Sequence, residues 1–237
     1  VQNDVLSNLV DKAKNTIIGR DFGFSSIKSY EDFSKKVPVF SYENFSDKIE
    51  LARKGENNIF WPTKIKWFAK SSGTTNSKSK FIPVSDESLE DCHYAAGKDL
   101  LCMYLNNNSD SQLFTGKSLR LGGSKSPYEK NGTFYGDLSA ILIDNMPFWA
   151  EFSSTPSNKT SLMDDWNYKI EAIINETINE NVTSLAGVPS WMLVLLNKII
   201  EKSNKKYISE IWPNLEVYFH GDVSFKPYLN QYNNILN

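Results

Sequence analysis

Cysteine and histidine are scarce: two of each in 237 residues. Cys92 and Cys102 stand ten positions apart in one predicted helix, a rise of about 15 Å that no disulfide spans. Both read as reduced residues of the core or its boundary, in keeping with a cytoplasmic setting. Neither His93 nor His220 lies at a ligand spacing from them, so no zinc or other protein-held metal site is expected. Charge of one sign is not in excess either. Twenty-six Lys and Arg face 28 Asp and Glu, for a net charge of −2, which provides no basic field for nucleic acid or an anionic membrane. Long apolar runs are also missing. The longest, Leu185 to Leu196, is interrupted by Gly187, Pro189 and Ser190 and is too short for a bilayer. No secretory leader pattern opens the chain. There is no Gly-x-Ser-x-Gly elbow, and no Ser or Cys stands as an evident partner to either histidine.

What the chain does have is a ten-residue block, Ser71-Ser72-Gly73-Thr74-Thr75-Asn76-Ser77-Lys78-Ser79-Lys80, between the apolar runs Trp67–Ala69 and Phe81–Val84. Small residues let backbone N–H groups turn toward an anion, hydroxyls add donors and the two lysines add charge, a combination suited to a polyphosphate. The plain alternative is a solvated turn joining two strands. A Walker loop is excluded, because no second glycine precedes a lysine that opens a helix. Lys80 leads instead into Phe-Ile-Pro-Val, which reads as a strand. The block is a strand–loop–strand clamp.

Residues 1–60 read as a helical segment, with Val5, Leu6, Leu9, Val10, Ala13 and Ile17 at helical spacing and short capped helices after Ser29 and Ser41. Residues 61–237 read as an α/β portion. Ser85 caps a helix to about Tyr104 whose apolar stripe is Leu89, Cys92, Ala96, Leu100 and Met103. Ser118–Leu121 is a strand ending at Gly122-Gly123, followed by a flexible stretch to Gly132. Asp137 caps an apolar segment to Ile143, and Ser161 with Asp164 makes a capping-box-like helix start. A strand at 182–185, a helix at 189–200 and a strand at 215–219 form a βαβ unit with parallel strands. The fold class is α/β, with mixed β-sheets flanked by helices.

Other candidates carry less. His93 reads as partly buried and structural, while His220, at a strand end before Gly221, is equally a pocket residue or a structural one. Asp164-Asp165 and Glu90-Asp91 read as solvated charges. Met146, Phe148, Trp149, Val188, Trp191 and Met192 suit an acyl pocket, but core packing is the stronger reading.

The block in its context, KSSGTTNSKSKFIPVS, resembles the phosphate-binding motif of the adenylate-forming superfamily of acyl-CoA synthetases and luciferases. It is closest to the auxin-responsive-promoter (Gretchen Hagen) family of acyl-acid amido synthetases. Val37-Pro38, Glu43, Trp61-Pro62, Lys66–Lys70, Phe148-Trp149, Gly187–Trp191, Trp212–Glu216 and His220–Phe225 agree with that likeness, which covers nearly the whole chain. The resemblance implies the N-terminal part of an adenylate-forming fold and a cytoplasmic ligase using ATP and Mg2+. In such an enzyme a carboxylate attacks the α-phosphorus, pyrophosphate leaves, and the amine of an amino acid displaces AMP from the acyl-adenylate. By the same resemblance Ser71, Ser72, Gly73, Thr74 and Thr75 hold the β- and γ-phosphates. Lys78 and Lys80 are the catalytic cations, Lys80 foremost, and Gly221 and Asp222 border the nucleotide.

Two positions depart from the family pattern. Ser77 replaces a frequent glycine, and Asp222 stands where a second glycine is expected, so that its carboxylate crowds the nucleotide. The superfamily's adenine, ribose and C-terminal-domain elements are not found. The chain therefore reads as an inactive N-terminal fragment of a longer enzyme. The alternatives are an acyl-CoA-forming ligase and a non-catalytic truncated relative acting as a binding module.

Overall fold

Apolar residues come in short runs here, and they build short strands. A computed structural model describes residues 1–71, 79–123, 126–221 and 223–236. Its strands are β1 (Trp67–Lys70), β2 (Phe81–Val84), β3 (Lys117–Arg120), β4 (Tyr128–Lys130), β5 (Thr133–Gly136), β6 (Ser154–Thr155), β7 (Val182–Gly187) and β8 (Val217–His220). They divide between two units, residues 1–96 with 127–136 and residues 97–126 with 137–237. Mixed and parallel sheets flanked by helices give the expected α/β class. Among the described residues no helix is long and apolar enough to cross a membrane.

In the first unit the sheet order is β2-β1-β5-β4. β1 pairs antiparallel with β2 and parallel with β5, and β4 pairs antiparallel with β5. Trp67, Phe68 and Ala69 are all buried, the pattern of an inner strand covered on both faces. Phe68 packs with Ile49, Ala52, Ile59, Ile65 and Tyr135. The stretch expected to be flexible as far as Gly132 is corrected from Tyr128 onward. β4 and β5 form a hairpin whose turn is Asn131-Gly132, at φ 56° and 74°, the pairing that a two-residue turn of matching twist requires.

The N-terminal helices follow their caps. Thr16 accepts from the Gly19 N–H at the start of Ile17–Asp21, and Ser29 accepts from Asp32 at the start of Tyr30–Lys36. In the helix Gln2–Ala13, Val10 and Ala13 are buried while Val5 and Leu9 face solvent. After Ser85, whose hydroxyl accepts from the Ser88 N–H, the chain makes a π-helical stretch, Ser88–Tyr94, and then the α-helix Ala95–Asn107. The expected stripe fails here. Of its members only Leu89 is buried; Cys92 and Cys102 are exposed, as are Leu100 and Met103. A π-turn carries more residues than an α-turn, so a 3.6-residue count taken through it does not stay on one face.

In the second unit β6-β3-β7-β8 form an all-parallel sheet. The βαβ unit is present as expected: β7, the helix Pro189–Ser203, then β8 in parallel register. The helix opens with proline in its first turn and ends at Asn204, which takes the left-handed conformation at φ 53°. Leu119, Leu185, Met192, Leu195, Leu196 and Ile199 are buried between helix and sheet.

The helix Trp166–Thr177 does not start with the expected capping box. Ser161 closes the preceding short helix, and Asp164 accepts the Ser126 N–H at 2.9 Å. Asp165 is the cap, accepting from the N–H groups of Asn167 and Tyr168 at 2.9 and 3.0 Å. The pair expected to be idle solvated charge thus does structural work, whereas Glu90 and Asp91 are exposed as expected. Asp165→Ala should lower the unfolding free energy by about 1 kcal/mol, measured as a shifted urea midpoint at unchanged slope.

Candidate functional site

The Ser/Thr/Lys block begins where β1 ends and finishes where β2 begins. Its two ends are tied together: the Ser71 N–H donates to the Lys80 carbonyl at 2.9 Å. Ser72, Gly73, Thr74, Thr75 and Lys78 lie outside the described residues, as does Ser77. Ser71 is exposed, and Lys80 is 38% exposed.

Three groups engage Lys80 and its neighbour. The Lys80 ammonium lies 3.6 Å from Glu43 Oε1 and 5.4 Å from the centre of the Tyr42 ring. The Glu43 carboxyl is held below the usual carboxylate range, first by its own backbone amide and, against desolvation, by the Lys80 charge. Tyr42 also reaches the backbone, because its hydroxyl accepts the Phe81 N–H at 2.9 Å. The reason lies in the register. Ser71 and Lys80 form a hydrogen-bonded pair, so the next pair, Lys70 and Phe81, does not bond across the strands. β2 is an edge strand, and the Phe81 N–H therefore points outward, where Tyr42 meets it. Two residues on, Pro83 has no N–H to satisfy. Arg53 covers the other side, its guanidinium 3.8 Å from the Phe81 ring centre and 5.1 Å from that of Tyr135, in the range of cation–π attraction. Sequence reading quoted Glu43 only as part of a resemblance and missed Tyr42 and Arg53; no local pattern marks a contact 39 residues away.

In the second unit, three adjacent parallel strands end in glycine. β3 runs into Gly122-Gly123, β7 ends at Gly187, and β8 ends at His220 before Gly221. Gly187 has φ 153°, and a Cβ there would stand 3.1 Å from the Leu121 carbonyl oxygen. A Cβ on Gly122 would collide with Ile143 Cδ1, whereas one on Gly221 would meet nothing within 4 Å among the described residues. Two hydroxyls brace the turn after β7: Tyr218 donates to the Gly187 carbonyl at 2.9 Å and Tyr232 to the Pro189 carbonyl at 2.7 Å. Burial pushes the Tyr218 phenol up to about 12 and raises Tyr232 as well. Lys169, fully buried, donates to the Gly123 carbonyl at 2.7 Å. Burial holds its ammonium below the usual lysine value, against the opposing charge of Asp164.

His220 is exposed at the carboxyl edge of the sheet and stacks on Phe225, with ring centres 4.6 Å apart. Gly221 is exposed beside it, and Asp222 lies outside the described residues. The aromatic and methionine set is corrected. Met192 is a core residue, but Phe148, Trp149 and Trp191 are exposed, Trp191 meeting Trp166 edge-to-face at 4.7 Å. Local apolarity alone does not say which side of a helix end is covered. Among the described residues no three His, Cys, Asp or Glu groups are placed to hold one metal ion.

The model of the GH3 family N-terminal domain matches residues 1–237. Over 91 residues the chain is 30% identical to indole-3-acetic acid-amido synthetase GH3.2 of Arabidopsis thaliana and 26% identical to GH3.3 of the same plant; each match covers 38% of this chain. The matched stretch is 17% and 15% of those proteins. Among solved structures, a GH3.15 acyl acid amido synthetase superposes with a TM-score of 0.74 at 16% identity, over 99% of this chain and 51% of that one. A complex of AtGH3.15 with 2,4-DB gives 0.68 at 21% identity, over 100% and 41%. The chain thus spans about half the length of these solved relatives, and the likeness in structure is one of fold.

Proposed function

The chain belongs to the GH3 family, and from that premise we propose that it is the phosphate-engaging part of an ATP-dependent acyl-acid amido synthetase. The reaction in this reading has two halves. A small carboxylic acid attacks the α-phosphorus of ATP and releases pyrophosphate; the amine of an amino acid then attacks the activated carbonyl and AMP departs. The observation that carries the reading is the closed base of the Ser71–Lys80 block, with one ammonium beside it.

Phosphoryl chemistry asks a protein mainly to place its substrates and to neutralise oxygens that gain charge. Lys80 suits that role because its ammonium is partly exposed and, among the described residues, its ionic partner is the exposed carboxylate of Glu43. Such pairs are worth about 0–1 kcal/mol, so Lys80 gives up little in turning to a phosphate. The hydroxyls and backbone N–H groups of Ser71, Ser72, Gly73, Thr74 and Thr75 supply uncharged donors in this reading, Lys78 a second cation, and Gly221 with Asp222 the border of the nucleotide site. Magnesium arrives as the counter-ion of the nucleotide. The exposed thiols of Cys92 and Cys102 suit a reducing, cytoplasmic compartment.

The test is acid-dependent exchange of labelled pyrophosphate into ATP by a family-length protein carrying this chain, with a panel of carboxylic acids. Exchange that depends on one acid, followed by amide formation when an amino acid is added, supports the reading. Amide-free transfer to coenzyme A would make it an acyl-CoA ligase. Binding of MgATP without exchange across the panel would leave a non-catalytic binding module, a reading for which Asp222 speaks by its charge beside Gly221.

A further inference from the structure

We propose that Tyr42 is a positioning residue that aims Lys80, an inference resting on the assignment of the Ser71–Lys80 block to nucleotide phosphate. Tyr42 does two separable things. Its hydroxyl ties the outward N–H of Phe81, fixing the backbone one residue after the cation, and its ring lies 5.4 Å under the ammonium. The strand edge would otherwise leave that N–H to solvent and free the first residue of β2 to fray. Lysine carries four rotatable bonds, and each lost on binding costs affinity, so a seat that already restricts them favours capture of an anion.

The seat itself is held firmly. Tyr42 opens the short helix Tyr42–Phe45, where Ser41 donates to Asn44 Oδ1 through both its N–H and its hydroxyl at 2.9 Å. Phe45 is wedged between the rings of Phe40 and Phe60, with centres 5.0 and 5.9 Å away. Glu43, next in sequence, plays the opposite part. With 57% of its side chain exposed it offers Lys80 a partner in the absence of an anion and competes with phosphate for it. Adjacent residues of one turn therefore have contributions of opposite sign.

The test uses the full chain, titrated calorimetrically with MgATP and with tripolyphosphate. Tyr42→Phe, which keeps the ring, should bind about three- to tenfold more weakly, the span expected for one lost hydrogen bond. Glu43→Gln should bind about twofold more tightly, as loss of an exposed pair allows. In the Lys80→Ala background Tyr42→Phe should cost nothing further, since residues acting through one group are not additive. Equal losses with and without Lys80, or weaker binding by Glu43→Gln, would overturn the proposal.

Amide hydrogen exchange separates this failure from failure of the phosphate assignment. Faster exchange at Phe81 in Tyr42→Phe, with the rest of the unit unchanged, is the expected result. Unchanged Phe81 exchange while Lys80→Ala binds weakly overturns the positioning role alone. Lys80→Ala binding as tightly as the unmodified chain overturns the phosphate assignment and the positioning role together.

Discussion

Lys80→Ala should slow acid-dependent ATP–pyrophosphate exchange by about 100- to 1,000-fold, the loss typical when one preorganised donor to a developing oxyanion is removed. Stability should hardly change. Both side chains of the Lys80–Glu43 pair are partly exposed, and loss of such a pair moves a thermal midpoint by about 4 °C or less in a chain of this size. The combination matters more than either number, because a large kinetic loss without unfolding is what a charge acting on the substrate produces. Lys80→Arg should recover part of the rate, since charge is kept while the shape of the donor changes. If Lys80→Ala retains more than about half the exchange rate, the charge-neutralising role assigned to it falls.

The largest expected effect on folding lies in the second unit. Trp212 is 1% exposed, packs in the main core cluster and donates its indole N–H to the Thr177 carbonyl at 3.2 Å. Thr177 is the last residue of the helix Trp166–Thr177, and helix ends leave carbonyls in need of donors. Trp212→Ala should therefore cost about 3–5 kcal/mol, from lost burial and from the cavity left behind. Trp212→Phe separates the two contributions: it keeps most of the apolar contact, strands the Thr177 carbonyl, and should cost about 1–3 kcal/mol. Chemical denaturation with the slope held constant checks both. A cost below about 1 kcal/mol for the alanine variant would show that the core there repacks freely.

Much of this fold is legible in the sequence where local chemistry decides local structure. Ser29 and Ser85 begin helical segments because their hydroxyls accept the first free N–H groups, and a proline-led helix between two apolar strands marks the βαβ unit. The Asn131-Gly132 turn carries an equally local signal, but it stands among Ser, Lys and Pro that together read as a flexible stretch. The stripe expected after Ser85 does not form because a π-helical stretch changes the residue count per turn, which no composition announces.

The site divides in the same way. Residue types that suit a phosphate mark the block from Ser71 to Lys80, but its support comes from Tyr42, Glu43 and Arg53, brought there by tertiary folding. Asp165 rather than Asp164 caps its helix because the chain enters from a short preceding helix, and that entry angle is not written in three residues.

The first sheet has a consequence for how the protein is made. β1 and β5 are neighbours, yet residues 97–126 between them belong to the other unit. A ribosome that has delivered everything up to Ser126 has therefore not yet delivered the strand that covers one side of β1. During synthesis the bare edge of Trp67-Phe68-Ala69 stays open to chance pairing with other chains. That hazard ends when Gly136 emerges, which favours quick translation, or a chaperone, across this interval.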